Sequence, residues 1–147
     1  MRTASALIFL FLAISVSAQT PADFTGHWRE RADSRSDRRL EVEQNGNKLR
    51  VKTVVTNSKG TRTLEVTYEI GGPETVYKGL DGDEFHSSAR WDGKSLVFEI
   101  IEHERGSEIP QHTVWTLSND RNSLLVDRRS TKSAETTHSS TTYVRQP

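Results

Sequence analysis

Leu40 to Val51 (LEVEQNGNKLRV) alternates apolar and charged residues on both sides of Asn45-Gly46, and this alternation constrains the fold more than any other feature of the chain. Side chains along a strand point to opposite faces with a period of two, and residues opposite one another in a hairpin share a face. With Asn45-Gly46 as a two-residue turn, Val42 faces Leu49 and Leu40 faces Val51, while Glu43 meets Lys48 and Glu41 meets Arg50. Asn-Gly suits a type I′ turn, whose central residues both need positive φ. The stretch is therefore expected to form a hairpin with one apolar and one charged face.

The same test extends along the chain. With Asp92-Gly93 as the turn, Ala89 faces Leu96, Ser87 faces Phe98 and Phe85 faces Ile100. A turn centred between Ser107 and Glu108 places Ile100 opposite Trp115, and one centred between Asp120 and Arg121 places Leu117 opposite Leu124 and Trp115 opposite Val126. A turn near Lys59-Gly60 pairs Val51 with Tyr68, and a Gly71–Glu74 loop pairs Tyr68 with Tyr77. A two-residue Asp81-Gly82 turn fails, because it sets Tyr77 opposite His86 rather than Phe85; a bulge or an odd-length loop is expected there.

The runs predict strands near 25–32, 38–45, 48–56, 62–70, 74–79, 84–91, 94–103, 111–118, 123–130 and 136–144. The expected fold is all-β: an antiparallel up-and-down meander of about 8–10 strands with one apolar face. An open sheet of that kind leaves two exposed edges, and closure into a barrel removes them. A sandwich is the alternative, with Greek-key crossings in place of meander hairpins.

Residues 1–18 are read separately. Arg2 is followed by the apolar stretch Ala6–Val16 and by the small residues Ser17 and Ala18, the pattern of a secretory signal. Residues 19–147 then form one domain, secreted or periplasmic, with no later segment apolar enough to span a membrane. The chain has no cysteine, so the fold rests on its core and its backbone ladder even where an oxidising compartment would permit disulfides. Without Arg2 there are 19 basic and 20 acidic residues, a balance that favours neither nucleic acid nor an anionic membrane. A monomer is expected.

Phe24-Thr25-Gly26-His27-Trp28 opens the first predicted strand, and Ala89-Arg90-Trp91-Asp92-Gly93 forms a later hairpin. The Gly-x-Trp start ahead of a meander of this length resembles the calycins, which comprise lipocalins, fatty-acid-binding proteins and avidins. The two motifs together also resemble small exported bacterial lipocalin-like proteins. The resemblance implies a lipocalin-like barrel in which Trp28 plugs the closed end and Gly26 admits close backbone approach. It also implies a late-strand arginine packed on the tryptophan. Arg128 shares a face with Val126 and Trp115, which fits that role as a cation–π cap. Three family features are absent: only Ala32–Asp37 separates the first two strands, leaving no room for a helical lid; there is no lipocalin Thr-Asp-Tyr motif; and the pocket tryptophans of avidins are not matched.

The interior expected from parity includes Leu49, Val51, Val55, Leu64, Val66, Leu117 and Val126, with Thr53, Ser87, Thr113 and Ser139 as sparse polar members. The candidate ligand-contacting set is Tyr68, Tyr77, Phe85, Ser87, Phe98, Ile100 and Trp115. A mostly apolar cavity with a few hydroxyls suits a small hydrophobic ligand, although a small barrel can also fill itself with side chains. For a metal, the candidates are His103 and His112, made cross-strand neighbours ~5 Å apart by the turn between Ser107 and Glu108. That register puts both on the outer face and sets His86 ~13 Å from His103, so the reading assigns no metal and no cofactor. There is no cysteine nucleophile, Gly-x-Ser-x-Gly or phosphate-binding glycine loop. The expected function is a non-catalytic exported barrel that binds a small apolar molecule. The alternative is a protein-binding module with a filled core, using the Ser/Thr-rich segment 130–147 as an edge strand.

Overall fold

Each predicted alternating run becomes a strand. The computed structural model describes residues 20–31 and 36–147; the expected leader at 1–18 and most of the connection expected to be too short for a lid lie outside the described residues. The strands are β1 (Gly26–Glu30), β2 (Asp37–Asn45), β3 (Lys48–Asn57), β4 (Gly60–Glu69), β5 (Thr75–Lys78), β6 (Glu84–Asp92), β7 (Ser95–Glu104), β8 (Ser107–Leu117), β9 (Ser123–Lys132) and β10 (Glu135–Arg145). They form one antiparallel sheet in the order β4-β3-β2-β1-β10-β9-β8-β7-β6-β5.

The first and last strands therefore pair, Trp28 with Arg145 and Glu30 with Tyr143, and curl the meander into a barrel. The seam falls instead between β4 and β5. Gly71-Gly72-Pro73 interrupts the chain there, and proline has no N–H to donate to a ladder. One isolated bridge, Ile70 to Ala89, with the Gly71 N–H donating to the Ala89 carbonyl at 2.7 Å, ties the strand end across the gap. Tyr68 and Tyr77, expected to pair through a ladder, meet through their side chains, with ring centroids 6.0 Å apart.

The faces agree with the alternation, but several registers differ from expectation. In β2–β3, Asn45 pairs with Lys48 and Val42 with Val51, so Gly46-Asn47 is the turn rather than Asn45-Gly46. In β6–β7, Asp92 pairs with Ser95 and Ala89 with Phe98, so Gly93-Lys94 is the turn. Both glycines have positive φ (61° and 59°), and Asn47 and Lys94 do not. Glycine at the first central position is the type II′ arrangement, not I′. The β3–β4 turn is Ser58-Lys59, which pairs Val51 with Val66. The β7–β8 turn is Arg105-Gly106, both at positive φ, which pairs Ile100 with Gln111 and Leu96 with Trp115. Two expectations are met in detail: Leu117 pairs with Leu124 and Trp115 with Val126, and an odd-length loop after β5 pairs Tyr77 with Phe85.

The core is densest at one end of the barrel. Phe24, Trp28, Leu49, Leu96 and Leu124 are almost wholly buried there, each contributing roughly 1.5–3 kcal/mol relative to exposure. Phe24 stacks on Trp91 (6.0 Å) and meets Trp115 edge-on (5.9 Å), and the Trp28 indole N–H donates to the Phe24 carbonyl at 3.0 Å. At the other end the β9–β10 hairpin runs past the barrel. Its residues Glu135–Ser140 are exposed, including Ser139, which was expected inside.

Candidate ligand cavity

Above the packed aromatic end the inward faces enclose a cavity of about 350 Å³. Its apolar wall comes from alternate residues of successive strands, chiefly Leu40, Val51, Leu64, Phe98, Trp115 and Val126. Of the seven residues singled out from the sequence, Tyr68, Tyr77, Phe85, Phe98, Ile100 and Trp115 line it. The seventh, Ser87, is inward and buried but lies off the cavity wall. Leu49, Val55, Val66 and Leu117 also lie away from the wall.

The aromatic members form a chain around one side. Tyr77 stacks on Phe85 (5.4 Å), Tyr68 meets Phe98 edge-on (5.0 Å), and Phe98 is tilted against Trp115 (5.2 Å). Across the seam the Tyr68 hydroxyl donates to the Tyr77 hydroxyl at 3.4 Å. Burial raises the pKa of both phenols, and that of Tyr143 on the facing wall, so all three are neutral donors near neutral pH.

Of the polar part of the wall, Arg128, Thr53 and Thr113 were placed inside from the sequence, while Arg38, Arg62, Gln111 and Tyr143, which also line the cavity, were missed. For Arg38, Arg62 and Gln111 the available signal was parity: each lies an even number of positions from an inward-facing apolar residue of its own strand, Leu40, Leu64 and Trp115; β10 offers no such partner for Tyr143. Long cations read as surface because they usually are, but at a barrel mouth an inward arginine still reaches water with its head group. Arg128 and Arg62 are exposed there, and Arg62 donates to the Leu80 carbonyl at 3.1 Å across the seam. Thr113, opposite Arg128 in the ladder, is 3 % exposed, and its hydroxyl has no protein partner. On the acidic side, Gln111 Nε2 donates to Glu102 Oε2 at 2.5 Å. Burial, with Asp81 and Asp83 adding to it, raises the Glu102 pKa. Carboxylate oxygens of Asp81, Asp83 and Glu102 converge within 4.8 Å, an oxygen-only group without a nitrogen donor.

Two expected contacts are corrected. The cation on Trp28 is Arg145, its guanidinium carbon 4.2 Å from the ring centroid, and not Arg128. Arg128 does point inward, but it pairs with Ser139, six residues before Arg145 on β10, or ~20 Å along the strand. The close neighbour that Gly26 admits is this same Arg145 side chain rather than backbone: a Cβ at residue 26 would lie 2.3 Å from Arg145 Nη1. The histidine geometry is likewise corrected. His103 and His112 are not neighbours, because the Arg105-Gly106 turn sets His103 opposite Glu108 and His112 opposite Glu99. His86 and His103, expected far apart, have ring centroids 4.7 Å apart, because the Gly93-Lys94 turn sets Glu84 opposite His103.

No family model and no curated protein matches the sequence. By structure the chain is similar to a REP1-NXSQ fatty acid transporter, with a TM-score of 0.66 at 12% identity over 84% of this chain and 96% of that one. It is similar to the zebrafish ileal bile acid-binding protein complexed with cholic acid (TM-score 0.61, 12% identity, 84% and 98%). It is also similar to secretory abundant heat soluble protein 4 from Ramazzottius varieornatus (TM-score 0.64, 13% identity, 88% and 100%). At these identities the likeness concerns the fold: a ten-stranded, nearly closed antiparallel barrel.

Proposed function

We propose that this protein binds a small amphipathic molecule in the barrel, non-catalytically, and that it does so outside the cytoplasm. The observation that carries the reading is the division of one cavity into an apolar aromatic wall and a mouth with three arginines. The apolar body of a ligand would lie against Trp115, Phe98 and Leu40. A carboxylate or similar anion would reach Arg128 and its neighbour Thr113, whose buried hydroxyl has no protein partner. Charge-assisted hydrogen bonds give such an anchor its strength, and the apolar wall supplies the area. The fatty-acid and bile-acid names of the structural neighbours support a hydrophobic cargo. The signal-like segment at 1–18 supports export.

The reading is tested by titrating the protein with saturated C8 to C16 carboxylic acids and with the corresponding alcohols, following tryptophan fluorescence. Saturable binding with acids tighter than alcohols supports it. Absence of saturable binding by either series overturns it and favours the protein-binding alternative, whose Ser/Thr-rich β10 is exposed over Glu135–Ser140.

A further inference from the structure

The outer face of β5 to β8 carries a group of side chains that the cavity does not use. In one cross-strand row Lys78, Glu84, His103 and Glu108 lie side by side, and in the next are Val76, His86, Ile101 and Pro110. His86 and His103 are thus diagonal neighbours, and their rings meet with centroids 4.7 Å apart. Glu84 lies between them: its Oε1 is 3.0 Å from His86 Nε2, and its Cα is directly opposite His103.

We propose that His86, His103 and Glu84 form a surface binding site for a first-row transition-metal dication such as Zn²⁺. Two imidazoles on one tetrahedral zinc, with Zn–N near 2.0–2.1 Å, place their centroids roughly 5 Å apart, close to the separation found. Histidines that bind metal through one nitrogen commonly hold the other against a carboxylate, which fixes the ring and its tautomer. His86 has that backing, its Nδ1 2.8 Å from Glu74 Oε1, whereas His103 Nδ1 stands 3.9 Å from Glu108 Oε1, beyond hydrogen-bond reach. With its Nδ1 so occupied, His86 offers Nε2 to the metal, and His103 supplies the second imidazole. The ligand atoms of His86, His103 and Glu84 do not all lie within 4.8 Å of one another as they stand, so the ion must draw these surface side chains together; Glu84 then supplies an anionic third ligand and water completes the shell. Asp81, Asp83 and Glu102, whose oxygens also converge, carry no nitrogen donor and suit a harder cation, so they are the natural competitor to exclude.

The ion competes with protons for both rings, and Glu74, Glu84, Glu108 and Lys78 are the charged groups facing them. Affinity therefore falls as the solution is acidified through the histidine range.

The test uses untagged full-length protein purified without a metal column, titrated with zinc chloride by calorimetry near pH 7.5. One equivalent is expected to bind. His86→Ala and His103→Ala should each weaken binding by at least ~10-fold, the lower end of what losing a ligand's outer hydrogen-bond partner costs. Glu84→Gln should weaken it, His112→Ala should not, and Cu²⁺ should bind more tightly than Zn²⁺. A second measurement needs no variant: zinc should shift the ring proton resonances of His86 and His103 and leave those of His112 and His138 in place. No binding, binding indifferent to both His86 and His103, or binding lost with Asp81→Asn and Asp83→Asn would overturn the site.

Discussion

Arg145 on the last strand lies directly opposite Trp28 on the first, with its guanidinium carbon 4.2 Å above the indole ring. The same guanidinium donates to the Thr25 carbonyl (2.7 Å) and the Arg121 carbonyl (3.0 Å), so one side chain ties the closing pair of strands to two loops. This contact clasps the barrel at its packed end.

Trp28→Ala should cost about 3–5 kcal/mol of unfolding free energy, as expected for a buried tryptophan. Arg145→Ala should cost less, since cation–π contacts contribute about 0.5–2 kcal/mol. A double-mutant cycle in urea should give a non-additive pair; strict additivity would mean that the ring and the cation do not interact energetically.

Gly26→Ala introduces a methyl 2.3 Å from Arg145 Nη1 at a residue with φ of 148°. A loss of about 1–3 kcal/mol is expected. In an Arg145→Ala background the steric part disappears and the backbone part remains, so the same substitution should cost less. An equal loss in both backgrounds would place the whole cost in the backbone.

Arg128→Ala should weaken binding of an apolar carboxylic acid by about 10- to 100-fold, the equivalent of one hydrogen bond to a charged group. Binding of the matching alcohol should be nearly unchanged. Thr113→Val should leave the stability of the free protein within about 1 kcal/mol of the parent, because its hydroxyl has no protein partner to lose.

His86 sits between Glu74 and Glu84, and hydrogen bonding to Glu84 and then Glu74 raises its pKa. A raised folded-state pKa stabilises the protein below the unfolded value, about 6.5, and that contribution fades as pH climbs through the folded-state pKa. In metal-free buffer, His86→Gln should therefore remove part of the decline in unfolding midpoint between about pH 6 and 8. The carboxylates of Asp37 and Glu43 have the opposite sign. Hydrogen bonds from Arg39 and Arg50 lower their pKa values, so their contribution is present above about pH 4 and disappears on further acidification.

β5 has four residues, pairs by a ladder only with β6, and flanks the seam. Its amides should exchange with deuterium faster than those of β7 or β8, which are paired on both sides. Exchange as slow as in β8 would mean that the seam is closed in solution.

Alternation by itself determined the strands and their faces. Val42, Val51, Phe98, Trp115 and Val126 share the inner face in the structure as in the sequence, because sliding a hairpin by two residues leaves every side chain on its own side. Parity also placed Arg128 inside, and it ruled out the two-residue turn at Asp81-Gly82. What parity cannot see is which residue along the neighbouring strand lies alongside. That depends on whether a glycine takes the first or second central position of a turn. One such choice at Gly93-Lys94 brought Glu84 opposite His103 and the His86 ring beside it. Barrel closure decided the rest. Trp28 meets Arg145 rather than Arg128 because the two ends of the chain pair across 117 residues. Tyr68 and Tyr77 meet across an open seam, and inward arginines surround a cavity whose existence depends on how the curled sheet fills its volume. These are contacts between distant segments, and local preferences carry no term for them.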